Sequence, residues 1–160
     1  MATLETAHYA LQKASRSNSS RLSTANVASG QIEFMQIPYT LTGSEATNDV
    51  LNLCVLPAGA ILIPQLSSVS NAAAGTALTL KIGNAQDDDG LLVALAVQAA
   101  GNKPCAPVSG TQPAYHAQTA LTADTGFPGN TVIYATLTLV TTPTAAVVMY
   151  FNIAFKRNRG

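Results

Sequence analysis

The densest cluster of side chains able to do chemistry is Asp87-Asp88-Asp89-Gly90. Three carboxylates in a turn offer oxygen ligands to a hard cation such as Ca²⁺. A dedicated calcium loop alternates its ligands and closes with a later Glu, and neither feature is present. Adjacent Asp side chains also tend to point in different directions, so a solvated turn without metal is expected. His8 and His116 are far apart, and neither has a Cys or carboxylate at metal-ligand spacing. No Gly-x-Ser-x-Gly elbow occurs, and Ser109-Gly110-Thr111 lacks its spacing. Gly43, Gly59, Gly75 and Gly83 stand singly, which excludes a phosphate-cradling loop. Glu45 and Asp49 come nearest to an acid/base pair, but at a strand start both are expected to be solvated. The chain therefore reads as a non-enzyme, with no catalytic residue, no cofactor and no metal.

Binding chemistry is sparse too. A sugar-stacking platform would rest on Tyr9, Tyr39, Tyr115, Tyr134 and Tyr150, because there is no Trp. Those tyrosines are scattered, and outward strand tyrosines more often meet a neighbouring subunit. Cys54 lies in a strand pattern and Cys105 in a loop; a chain made in a reducing cytoplasm leaves both as free thiols. The N-terminus lacks a basic region followed by an apolar stretch, so no secretory leader is expected. No apolar run is long enough to cross a membrane. The longest, Val55 to Leu66, is broken by Pro57, Gly59 and Pro64.

Charge is scarce and uneven. Charged residues make up 10% of the 160, against roughly 25% in an ordinary soluble domain. So few charges leave apolar or hydroxyl-bearing surface, which marks interfaces. Residues 1–31 carry Lys13, Arg16 and Arg21 against Glu5, and the last five carry Lys156, Arg157 and Arg159. Between them lie seven acidic residues and only Lys81 and Lys103. Basic ends on an acidic body read as solvated ends or as salt-bridging to an acidic neighbour rather than as a nucleic-acid site, which asks for a basic face with interleaved aromatics.

The elements that must position these groups are strands. Residues 1–31 are the exception: the run from Ala14 to Arg21 is polar and aperiodic, and reads as an arm. Upstream, Thr3 is placed to cap a marginal short helix with Leu4, Ala7 and Leu11 on one face. From Ile32 the period is two. Met35, Ile37, Tyr39 and Leu41 share a face, as do Leu51, Leu53 and Val55. A third strand is expected from Ile61 and Ile63 to about Val69, and a fourth through Leu78, Leu80 and Ile82. Leu91–Ala100 suits a helix or a strand equally. Tyr115–Thr122 reads as a strand. Ile133, Ala135, Leu137 and Leu139, then Val147, Met149, Phe151, Ile153 and Phe155, form two one-sided runs around Thr141–Thr144, read as a long hairpin. The expectation is an all-β, antiparallel two-sheet β-sandwich, jelly-roll-like, of about seven or eight strands. It occupies 32–160, behind the extended arm at 1–31.

A family resemblance rests on three stretches. Gln31–Leu41 looks like the first strand of the decoration, or cement, proteins of tailed-bacteriophage capsids. Asp49–Ala60 is similar to that family's apolar strand ending in a Leu-Pro-x-Gly-Ala turn, here Leu56-Pro57-Ala58-Gly59-Ala60. Ala73–Gly83 resembles its Gly-x-x-x-Thr-Leu-x-x-Gly strand. The likeness spans about residues 30–155, and the long Pro-rich loop from Gly101 to Tyr115 departs from it. It implies a virion protein on the capsid exterior, often a homotrimer, that stabilises the shell by binding neighbouring copies of the major capsid protein. The family has no catalytic residues to carry over, and no nucleic acid or membrane partner is expected.

On this reading Leu4, Tyr9, Leu11, Lys13, Arg16 and Arg21 of the arm contact the capsid or a neighbouring copy. Val132, Tyr134, Val148 and Tyr150 are expected at the oligomer contact, being apolar or aromatic at outward strand positions. The alternative is an adhesin-like or glycan-binding β-sandwich on a particle tip or fibre, with its site in 101–130.

Overall fold

A computed structural model describes residues 3–6, 32–105, 120–125 and 127–157. Among these, ten strands and one 3-10 turn alternate along the chain. They are β1 (Thr3–Glu5), β2 (Ile32–Thr40), β3 (Val50–Pro57), β4 (Ala60–Leu62), the turn η1 (Pro64–Leu66), β5 (Ser68–Asn71), β6 (Gly75–Gly83), β7 (Leu92–Ala96), β8 (Gly101–Pro104), β9 (Asn130–Pro143) and β10 (Val148–Arg157). Sheet I has the order β1-β3-β9-β6-β7, and sheet II the order β2-β10-β5-β8 with β4 also on β10. All pairings are antiparallel except β1 with β3. The expected two-sheet β-sandwich is the observed fold.

Period-two burial builds the core. Ile37, Tyr39 and Leu41 from β2 and the residues after it, Leu78, Leu80 and Ile82 from β6, and Met149, Phe151, Ile153 and Phe155 from β10 all point inward and are buried. Each large side chain so buried contributes about 1.5–3 kcal/mol relative to exposure. In β3 a bulge between Asn52 and Cys54 resets the alternation, and Leu53, Cys54, Val55 and Leu56 are all buried. Cys54 and Cys105 are both buried and unbridged.

The structure corrects several expectations. β9 and β10 do not form a hairpin: β9 pairs with β3 and β6 in sheet I, β10 with β2, β4 and β5 in sheet II. The segment between them crosses from one sheet to the other, so their apolar faces oppose each other across the core instead of lying side by side. This crossing is pinned by Thr144 N–H donating to Ala74 O (3.0 Å), Ala146 N–H to Leu41 O (2.8 Å) and Leu41 N–H to Val147 O (2.8 Å). Leu139 is not inward but exposed, because β9 carries an extra residue opposite Thr79–Leu80 that reverses its parity. The third strand is interrupted by η1, and its buried residues are Ala60 and Leu62, not Ile61 and Ile63. Pairing decides that parity: Leu62 lies opposite buried Phe155. Leu91–Ala100 contains strand β7, not a helix.

At the N-terminus, Thr3–Glu5 is a strand rather than the start of a helix. It adds in parallel to β3, with Leu4 beside Leu51, and Thr6 Oγ1–H donates to Leu53 O at 2.8 Å. The remainder of the expected arm, residues 7–31, and Tyr115–Thr119 of an expected strand lie outside the described residues. Ala120–Thr122 is not strand, though Leu121 is buried and exchanges backbone hydrogen bonds with Ala60 and Gly59.

Candidate interaction surfaces

The outer face of sheet II is built by the residues of β2 and β10 that alternate with the core. Register places them in rows: Ile32 with Lys156, Phe34 with Ala154, Gln36 with Asn152, Pro38 with Tyr150 and Thr40 with Val148. Phe34 is 64% exposed, Ile32 41% and Tyr150 40%. The middle row is polar but paired: Gln36 Nε2 donates to Asn152 Oδ1 at 3.1 Å, and Asn152 Nδ2 to Ser68 Oγ at 3.2 Å. Lys156 is the one charged group in these rows, and at the same end Glu33 and Arg157 form an ion pair at 2.8 Å. Among the described residues, β2 is an edge strand of its sheet. Leu41 N–H donates toward the β10 side, to Val147 O, so by alternation the odd residues of β2 bond to β10 and Pro38 turns its N–H-less nitrogen to the open edge. That placement blunts the edge against strand addition.

The outer face of sheet I differs. Asn48, Val50, Lys81, Asp88, Tyr134, Thr136 and Thr138 line a shallow concavity there. Tyr134 Oη–H donates to Asn84 O at 2.8 Å, and Lys81 pairs with Asp88. Asp87, Asp88 and Asp89 bring one oxygen each to within 4.8 Å of the others, a tighter convergence than their adjacency in sequence implies. A hydrogen bond shared with Asp87, then partial burial and the charges of Asp87 and Asp88, hold the Asp89 carboxyl above its ordinary range. Gly83 makes this turn possible: a Cβ there would lie 2.1 Å from Asp87 O. Asp124 anchors the next turn, accepting from Thr131 Oγ1 at 3.0 Å and Val132 N at 2.6 Å. Burial first, then Asp88, Asp124 and Asp87, raise the Tyr134 phenol.

Glu45 and Asp49, expected to be solvated, are both buried. Glu45 Oε1 accepts from Tyr39 Oη (3.0 Å), Thr42 N (2.6 Å) and Thr42 Oγ1 (2.9 Å), and its Oε2 from Gly43 N (3.0 Å). Asp49 Oδ2 accepts from Ala46 N at 2.9 Å. These bonds tie the two carboxylates to the chain's own turn and leave them in structural roles. Burial opposes charge on Glu45, but these donors outweigh it and hold the carboxyl below its ordinary range. Burial, followed by that bond to Glu45, pushes the Tyr39 phenol well up. The legible signal was Thr42-x-x-Glu45, the spacing by which a Glu reaches back to the N–H of a Thr three residues earlier.

The expected contact residues are dispersed. Leu4 is partly buried against its own core. Tyr9, Leu11, Lys13, Arg16 and Arg21 lie outside the described residues. Val132 and Tyr134 stand on the outer face of sheet I, Val148 and Tyr150 on that of sheet II. These pairs are on opposite sides of the sandwich, so no single flat contact uses both. Phe34 is the most exposed large apolar side chain among the described residues and is not among the expected contacts. Its signal was an aromatic on the parity opposite to Met35, Ile37 and Tyr39.

No family model and no curated relative matches the chain. Among solved structures, a chain of the capsid of Ralstonia phage GP4 superposes with a TM-score of 0.69 at 15% identity, covering 99% of this chain and 100% of that one. The chain shares its fold with a component of that capsid structure. A chain of the cyanophage Pam1 capsid asymmetric unit aligns at a TM-score of 0.49 and 18% identity, over 88% of this chain and 97% of its own. That second likeness is too slight to carry any argument.

Proposed function

We propose that this chain is a structural virion protein that decorates the outside of a phage capsid and stabilises it by binding neighbouring capsid subunits. The observation that carries the reading is the fold match with a chain of the Ralstonia phage GP4 capsid structure, which covers 99% of this chain and 100% of that one. The low charge and the exposed aromatic face of sheet II support it, because such surface is costly on a free monomer and useful in an assembly. Many copies on one shell would add avidity to contacts that are individually weak. Self-association, as the homotrimer that the sequence resemblance implies, belongs to this reading. So do arm contacts through Tyr9, Leu11, Lys13, Arg16 and Arg21; Leu4 already packs on its own body.

Quantitative mass spectrometry of purified particles from the virus that encodes the chain, with antibody labelling of intact particles, tests the proposal. The expected result is a fixed, high ratio to the major capsid protein, with labels over the whole shell. A few copies confined to a tail or fibre tip would favour the adhesin reading, and absence from particles would end both.

A further inference from the structure

We infer that the outer face of sheet II is a self-complementary docking surface for the same face of a second copy of this chain. This goes beyond the decoration reading and does not depend on it. An isologous contact requires that, wherever one copy has residue i against j, the other has j against i. The rows of β2 and β10 meet that condition about an axis through the Gln36–Asn152 row, perpendicular to the strands. Two residues to one side lie Phe34 on β2 and Ala154 on β10; two residues to the other lie Pro38 on β2 and Tyr150 on β10. Each row holds one tall and one short side chain, and the tall one changes strand between them. Rotation about the axis sets Phe34 of one copy on Pro38 of the other, beside Tyr150, and Tyr150 over Ala154. Ala154 is wholly buried beneath its neighbours, so the Tyr150 ring rests on the side chains that cover that row rather than on Ala154 itself. Both aromatic contacts occur twice.

Three further observations select a second copy as the occupant. Two nearly uncharged faces do not repel, and the outermost rows set Lys156 against Thr40 and Val148, where its stem can lie flat with the ammonium at the rim. The amides on the axis are already hydrogen-bonded along their own sheet, which lowers the cost of covering them. Strands of nine and ten residues, flanked by β4 and β5, present roughly 500 Å² per copy, so a pair covers about 1,000 Å², the lower bound for a specific interface. Pro38 bars continuous edge pairing and leaves face-to-face stacking, with the sheets about 10 Å apart. The contact leaves both ends of the sandwich for any threefold or lattice contact.

Sedimentation of the full chain at micromolar concentration, without particles, tests this directly. The wild type is expected as an even-numbered species, Phe34→Asp is expected to halve its mass, and Val93→Asp on sheet I, 62% exposed, to leave it unchanged. Gln36→Cys should be joined to its twofold mate by a bis-maleimide of about 10 Å reach, doubling the mass on a denaturing gel, while buried Cys54 and Cys105 stay unreacted. An unaltered mass for a folded Phe34→Asp, or an odd-numbered or monomeric wild type, would overturn the inference. If Phe34→Asp fails to fold, the Gln36→Cys link decides alone: no doubled band means no such contact.

Discussion

The two outer faces of this sandwich arise from the same strand alternation yet differ in chemistry. Sheet I turns out threonines, a hydrogen-bonded tyrosine, the Lys81–Asp88 pair and, at one end, three converging aspartates, with Val93 and Leu139 also exposed. Sheet II turns out Phe34, Ile32, Pro38 and Tyr150 around a short amide row. The core would accept either exterior, so folding alone does not explain the difference. A face that stays in water can carry strained turns and charge; a face that will be covered must be short of charge and have its polar groups paired beforehand.

Gly83→Ala should be the largest perturbation of the sheet I side. The added methyl collides with Asp87 O and the Asp88 backbone, which cannot swing aside as a flexible side chain would. A loss of about 2–4 kcal/mol is expected, read from urea denaturation, with sheet II association intact in the folded fraction. An effect under 0.5 kcal/mol would show that the acidic turn is not wedged against β6.

Glu45→Ala comes next. It strips four hydrogen bonds from Tyr39, Thr42 and Gly43 at a buried site, for an expected cost of about 2–4 kcal/mol. The same carboxylate sets an acid dependence. Its folded pKa is lowered, so its contribution is fully present above the unfolded value near 4.5 and is lost as pH falls through the folded value. Asp89, with a raised pKa, acts in the opposite sense: its penalty is present at neutral pH and is relieved on acidification. Melting temperatures of wild type and Glu45→Ala between neutral pH and pH 3 should therefore converge as pH falls, and parallel curves would contradict the assignment.

Lys81→Ala removes a solvent-facing pair and should cost under about 1 kcal/mol. Smallest of all, Phe34→Ser should change monomer stability by no more than about 0.5 kcal/mol, since the ring packs outside the core. A contrast between negligible stability loss and lost association would sharpen the distinction between the faces; a loss of several kcal/mol would make Phe34 a core residue instead.

Much of the sandwich is legible in the sequence. Leu78, Leu80 and Ile82, and the run from Met149 to Phe155, alternate strictly over many residues, and their burial follows. β1, β4 and β8 are three or four residues long, too short to carry a period. The bulges in β3 and β9 insert a residue that composition does not mark, and so Leu139 changes face. The false hairpin has a deeper cause: alternation reports which side of a strand is dry, not which strand lies beside it. The same limit governs the surfaces. Tyr150 and Val148 are readable as outward, and so are Val132 and Tyr134, but only the sheet assignment separates them onto opposite sides. The burial of Glu45 is hidden in the same way, because a carboxylate beside Ser44 and Gly43 suits a solvated turn as well as a buried one, and only its donors decide.

The most direct test of the division between the faces is oxidative side-chain footprinting of the chain, dilute and monomeric, against the same chain assembled on particles. The account predicts strong protection of Phe34 and Tyr150 on assembly, with Val93 and Leu139 on sheet I changing little. Equal protection of both faces, or protection of Val93 and Leu139 with Phe34 and Tyr150 still fully reactive, would contradict it.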